Sequence, residues 1–217
     1  MPKQELAKTK KAEIKKAETQ DTPKLVISPS DIDIPRLNLV QKTSDINGPV
    51  GSVVLDKKHV LLEADESTEV IVVSALKRWR ENIPFDNDEV PRIAGTEEER
   101  ANIDASSEWG TIEFADLVLM FPQPDETENE EAYNVPVGDG MFALGKLNTA
   151  KDAYRMTYKR LATFSMFNPD ASVSHRMWNF KSELITKGKY SWFAPSLSIT
   201  KNEPSDEVKN FVNRLTS

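Results

Sequence analysis

VSHRMWNFKSELITKGKYSWFAPSLSIT, residues 173–200, reads as two strands joined by a tight turn at Lys187-Gly188-Lys189. Side chains of a strand alternate between its two faces. In the first strand Trp178, Phe180, Ser182 and Leu184 share a face, and Met177, Asn179, Lys181 and Glu183 share the other. In the second, Phe193, Pro195, Leu197 and Ile199 form an aliphatic, core-like face opposite Tyr190, Trp192, Ala194, Ser196 and Ser198. Two large rings beside a turn with two lysines are what a single-stranded nucleic-acid platform needs: flat faces for bases, cations for phosphates. An ordinary hairpin packed on both faces has the same pattern, and cross-strand packing is the commoner reason for aromatics on strands.

The hairpin follows a helix expected over Thr149 to Phe167. Thr149 and Asp152 resemble a capping box, and Tyr154, Tyr158 and Leu161 form its apolar stripe. From Lys151 to Thr200 there are eight cations and three acids, so this third of an acidic chain is basic. After the hairpin, Ser205 caps a short C-terminal helix with Val208, Phe211, Val212 and Leu215 on one stripe.

Upstream, TEVIVVSALKRWR (Thr68 to Arg80) is the strongest strand signal in the chain. Strict alternation puts Val70, Val72, Ser74 and Leu76 on one face and Ile71, Val73, Ala75, Lys77 and Trp79 on the other. Its end, Lys77-Arg78-Trp79-Arg80, surrounds a ring with three cations and is a second candidate nucleic-acid contact. Read as structure alone, it is a strand end entering solvent with Trp79 over the core rim. Shorter strands are expected over Ile32 to Gln41, Ser52 to Leu55 and His59 to Glu63. Gly138, Gly140 and Gly145 match neither a dinucleotide fingerprint nor a Walker loop and read as turn glycines.

Between Thr96 and Tyr133 lie twelve acids and one cation. This stretch, about 96–133, is expected to be an acidic insertion, with a strand or strand pair at Trp109 to Met120 and an exposed loop after Pro122. Its spacing shows no calcium-loop pattern. Residues 1–28 are expected to be a disordered basic arm, with seven lysines and four acids between Met1 and Lys24. Residues 29–217 then make a single β-rich domain.

Composition narrows the classes further. The chain has 217 residues, a net charge of −7 and no cysteine, which removes disulfides, thiolate zinc sites and cysteine nucleophiles. Two histidines argue against a histidine-rich metal centre, and neither a metal nor a cofactor is expected. No apolar run is long enough to span a bilayer, and no secretory leader is legible. The expectation is a cytoplasmic protein without membrane contact.

Three stretches, IPRLNLVQKTS, the strand running into KRWRE, and NFKSELITKGKYSWFAPSL, resemble small phage-encoded proteins of the replication region. Some of that family bind single-stranded DNA through an OB-like barrel. The resemblance implies an OB-like Greek-key β-barrel with an aromatic, basic groove, acting in the host cytoplasm with replication proteins as further partners. The acidic stretch, and an amphipathic helix in place of an acidic C-terminal tail, depart from that pattern.

The resulting expectation is a mainly β, α+β fold: a barrel with an acidic insertion, one central helix and a short C-terminal helix. Its function is non-enzymatic, non-sequence-specific binding of single-stranded DNA in phage replication or recombination. Bases stack on Trp79, Tyr190, Trp192 and Trp178, and Lys77, Arg78, Arg80, Lys181, Lys187 and Lys189 hold phosphates. The alternative is a phage structural or assembly protein that forms a homo-oligomer through its β core and termini.

Overall fold

The computed structural model describes residues 33–84, 86–127 and 129–216. The basic arm expected over residues 1–28 lies outside them. The described chain is mainly β with four α-helices, in the α+β class.

A small antiparallel sheet comes first, with strand order β1 (Leu37–Leu39), β2 (Val53–Leu55), β3 (His59–Leu62). Asp56 and Lys57 turn β2 into β3 with φ of 49° and 59°, the positive pair that a type I′ hairpin demands. The remaining strands are β4 (Ser67–Glu81), β5 (Ile93–Ala94), β6 (Thr111–Pro122), β7 (Val135–Val137), β8 (Gly140–Ala150), β9 (Met177–Lys187) and β10 (Tyr190–Ile199). They form one seven-stranded sheet in the order β10-β9-β4-β6-β8-β7, with β5 beside the far end of β4. Every pairing within it is antiparallel. The hairpins β7–β8 and β9–β10 both turn on a two-residue loop led by a positive-φ glycine, Gly138 at 58° and Gly188 at 61°. That is the type II′ pattern.

The helices are α1 (Glu97–Ser106), α2 (Lys151–Met156), α3 (Tyr158–Phe167) and α4 (Asp206–Leu215). The main core lies between the small sheet with α2 and α3 and one face of the large sheet. It contains Val53, Leu55, Leu61, Val70, Val72, Leu117, Leu119, Phe121, Trp178, Phe180, Leu197, Tyr154 and Leu161. Helix α4 covers the opposite face, seating Val208 and Val212 on Ile71, Met120 and Phe142. The cap expected at Ser205 forms, its hydroxyl accepting from the Val208 amide.

Four expectations change. The ladders do not close into a barrel. Between β8 and β10 the small sheet intervenes, touching β8 through the isolated parallel bridge Arg36–Lys146 and β10 through the side chain of Gln41. The acidic stretch is not an excursion as a whole, because β6 lies between β4 and β8 in the sheet. Its flanks are helix α1, capped by a reciprocal Thr96–Glu99 box, and the segment after Pro122. The helix expected from Thr149 divides at buried Thr157, whose hydroxyl donates back to the Ala153 carbonyl at 2.6 Å. Thr149 itself is the penultimate residue of β8 and donates to the Ala115 carbonyl, so it caps nothing. Finally, β4 carries a bulge at Val73, where Val72 pairs with Leu119 and Ser74 with Val118.

Candidate nucleic-acid interface

One extra residue inverts which side chains share a face. The bulge puts Ala75, Lys77 and Trp79 on the face of Val70 and Val72, and turns Ser74, Leu76, Arg78 and Arg80 to the face of Ile71. Alternation splits the Lys77-Arg78-Trp79-Arg80 cluster, and the bulge decides which side each pair faces. Trp79 is 7% exposed, packed by Ala94 and Ile103 of α1. Lys77 and Arg100 lie over its ring, at 4.6 and 5.8 Å from the centroid. Lys77 is also tied to Glu113 at 2.7 Å, and that bond holds the Glu113 carboxyl below its usual range. Trp79 presents no free face to a base.

Trp178 is likewise withdrawn from any surface. It is 1% exposed, edge-on to Phe164, and its indole N–H donates to the Val173 carbonyl at 2.9 Å. Lys181 pairs with Glu183 at 3.0 Å. Burial pushes the Glu183 carboxyl up, but bonds from Ser196 and Lys181 outweigh it and hold it low.

Four of the expected residues gather at the tip of the β9–β10 hairpin. Lys189 lies over the ring of Tyr190, which is 65% exposed, and Lys187 lies over the half-buried ring of Trp192. Lys187 is not free: its ammonium donates to both carboxylate oxygens of Asp152, at 2.8 and 2.9 Å. This bond is the chief reason the Asp152 carboxyl is held low.

The larger basic feature is a groove of about 680 Å³ beside the seam between β8 and the small sheet. Among the described residues, Arg36, Arg78, Arg80 and Lys146 line it with Asp116 as their sole carboxylate, and Phe114, Phe193, Leu39 and Ile93 supply apolar wall. Register explains the assembly. Asn148 stands directly across from Asp116, with Lys146 across from its neighbour Val118. Arg78 stands across from Phe114. Diagonal neighbours on one face of a sheet are within reach of long side chains. Asp116 thus accepts from Arg78, from Asn148 at 2.9 Å, and faces Lys146 at 3.6 Å. Arg78 and Arg80 both lie over the Phe114 ring, at 5.6 and 5.9 Å. Arg36 and Arg80 make no ion pair with any described residue.

Sequence reasoning found Arg78 and Arg80 but missed Arg36, Lys146, Asp116 and Phe114. A signal was present. Asp116 sits inside FADLVLM and Lys146 inside MFALGKL, each a lone charge in an apolar strand. A charge in such a strand needs a partner across the ladder. Gly145, next to Lys146, permits the close approach of β1: a Cβ there would lie 2.5 Å from the Leu37 Cγ.

The long outer strand β10 is blunted against further pairing at its middle. The Gln41 side-chain amide acts as a short substitute strand, donating to the Phe193 carbonyl at 2.9 Å and accepting from its amide at 2.8 Å. Pro195 has no N–H, and Arg160 occupies the Leu197 carbonyl at 2.8 Å. At the other edge β7 is three residues long with Pro136 at its centre. These are the devices that keep sheet edges from templating another chain.

Among the described residues, no group of three or more His, Asp or Glu is placed to hold a metal ion, and no helix is long and apolar enough to cross a membrane. No protein-family model, curated protein or solved structure matches the chain.

Proposed function

We propose that the protein binds single-stranded DNA non-enzymatically and without sequence preference, and that the groove around Arg36 and Arg80 is the binding site. The observation that carries this reading is the groove's charge: four cations and one carboxylate in a chain of net charge −7. Two of those cations, Arg36 and Arg80, have no ion-pair partner among the described residues and are available to phosphates. Arginine over an aromatic ring offers its flat guanidinium to a base, so Arg78 over Phe114 takes the stacking role first assigned to the buried tryptophans. The exposed tip, with Tyr190, Trp192 and Lys189, supplies a secondary contact. The groove lies where a closed barrel would join β8 to β10, which keeps an OB-like relationship within the proposal. The resemblance to phage replication-region proteins makes phage DNA replication or recombination the setting, and replication proteins the further partners.

The test is anisotropy of a labelled oligothymidylate of about 16 nucleotides, titrated with wild type, Arg36→Ala and Arg80→Ala at rising salt. Wild type is expected to bind with a log–log salt slope of roughly −1.4, from about 0.7 per phosphate contact. Each variant is expected to weaken binding and flatten the slope. Equal binding by all three proteins would overturn the groove as the site.

A second reading, self-association as an assembly protein, rests on Met166 and Phe167, which are 78% and 76% exposed side by side at the end of α3. The capped edges of the large sheet argue against assembly through the β core. Sedimentation of wild type against Phe167→Ser decides it: a stable oligomer that dissociates in the variant would favour this reading.

A further inference from the structure

The groove's one carboxylate has no evident place in a site for a polyanion. Asp116 sits on the central strand β6 with its side chain 12% exposed, and it engages Arg78 and Lys146 together. We propose that Asp116 is the selectivity residue of the groove, setting it for a single strand against duplex DNA; this rests on the single-strand reading above.

The argument has two parts. First, Asp116 sorts the cations. It neutralises Arg78 and Lys146, so phosphate contact is left to Arg36 and Arg80, which have no acid partner among the described residues. Arg78 is left lying on the Phe114 ring, at 5.6 Å from the centroid, as a surface for a base. A ligand therefore gains from few phosphates and from exposed base faces, which a single strand offers and a paired, stacked duplex does not.

Second, the carboxylate acts hardest on the denser polyanion. A duplex carries one charge per about 1.7 Å of its axis, and each phosphate contact contributes a salt slope of about 0.9, against about 0.7 for a single strand. Removing Asp116 turns two neutralised cations into phosphate contacts, and each such contact is worth more to duplex. Asp116 therefore suppresses duplex binding more than it suppresses single-strand binding. Asn148, which donates to Asp116 at 2.9 Å, helps fix the position of the carboxylate.

The experiment compares wild type with Asp116→Asn, using an oligothymidylate of about 16 nucleotides and a duplex of the same length across a salt series. Expected for the variant is tighter binding of both ligands, with the gain on duplex about two- to threefold larger than the gain on single strand at about 0.1 M salt, and the single-strand slope steeper by about 0.7 per freed cation. Thermal melts establish that the variant is folded, and Asp116→Ser is read in the same way should Asp116→Asn not fold. Weaker binding of both ligands by a folded variant would overturn the proposal and make Asp116 a positioning residue. Unchanged binding of both, while Arg36→Ala and Arg80→Ala still weaken wild type, would also overturn it and leave the groove standing. If those arginine variants bind single strand as wild type does, the groove itself fails, and this inference fails with it.

Discussion

The hairpin tip and the groove hold the same two ingredients, rings and cations, assembled in opposite ways. At the tip, Lys187, Lys189, Tyr190 and Trp192 lie within a few residues of one another, and each lysine lies over a neighbouring ring. In the groove, Arg36, Arg78, Arg80, Phe114 and Lys146 come from β4, β6, β8 and the approach to β1. The tip is easy to read and partly occupied with itself, since Asp152 holds Lys187. The groove is hard to read and leaves two arginines without acid partners among the described residues. Clustering along a sequence marks a turn; clustering across a register makes a concave surface. Flat exposed rings contribute mainly stacking, whereas a concave cationic wall also concentrates a polyanion before contact.

The sharpest division lies within the hairpin, between its two tryptophans. Trp178→Ala is expected to destabilise the fold by about 3–5 kcal/mol, read by urea denaturation, because the ring is fully inside the core. Trp192→Ala should leave the urea midpoint nearly unchanged. Equal effects from the two would dissolve the distinction between core and tip. Next in size, the double variant Arg36→Ala, Arg80→Ala is expected to lose about a hundredfold or more in oligothymidylate affinity, from about 1.5 kcal/mol per charged contact. Tyr190→Ala with Trp192→Ala should lose less than that; a larger loss would transfer the main site to the tip.

Gly145→Ala tests the wall of the groove. Its new Cβ would press on Leu37 and displace β1, costing about 1–3 kcal/mol and moving Arg36 away from Lys146. A fall in single-strand affinity should accompany that cost, and no variant at the tip should reproduce the pairing of effects. The smallest effect concerns a region outside both. The Arg92 side chain, with help from Ser107, holds the Glu81 carboxyl at about 2 against an ordinary 4.5. The contribution of this pair is therefore complete above pH 4.5 and fades as pH falls through about 2. Between those limits wild type should lose urea resistance more steeply than Glu81→Gln, with oligonucleotide binding at neutral pH unchanged by the variant.

The main strands were legible in the sequence because β-branched runs and glycine-led turns declare them. β4, the β2–β3 hairpin, the β9–β10 hairpin and the closing helix all follow from local pattern. Three features did not. Helix α1 has a capping box in Thr96–Glu99 but buries only Ile103, so no apolar period announces it. The strand expected at Trp109 to Met120 formed as β6, but its place between β4 and β8 was hidden by the acids around it. The bulge at Val73 has no signature in VIVVSAL, yet it decides that Arg78 and Arg80 face the groove while Trp79 faces α1. The cations of the site were half visible, because Arg36 and Lys146 meet through a single bridge between two sheets, and no alternation within either strand foretells it.

The blunted edge at β10 bears on how a long strand would be coated. With Gln41 on both backbone groups of Phe193, Pro195 without an N–H and Arg160 on the Leu197 carbonyl, that strand is a poor template for a ladder between neighbouring copies. Molecules loaded side by side would gain nothing from adjacency along this edge. Saturation should then follow the statistics of independent, randomly placed occupants, with gaps that persist until the protein is in large excess.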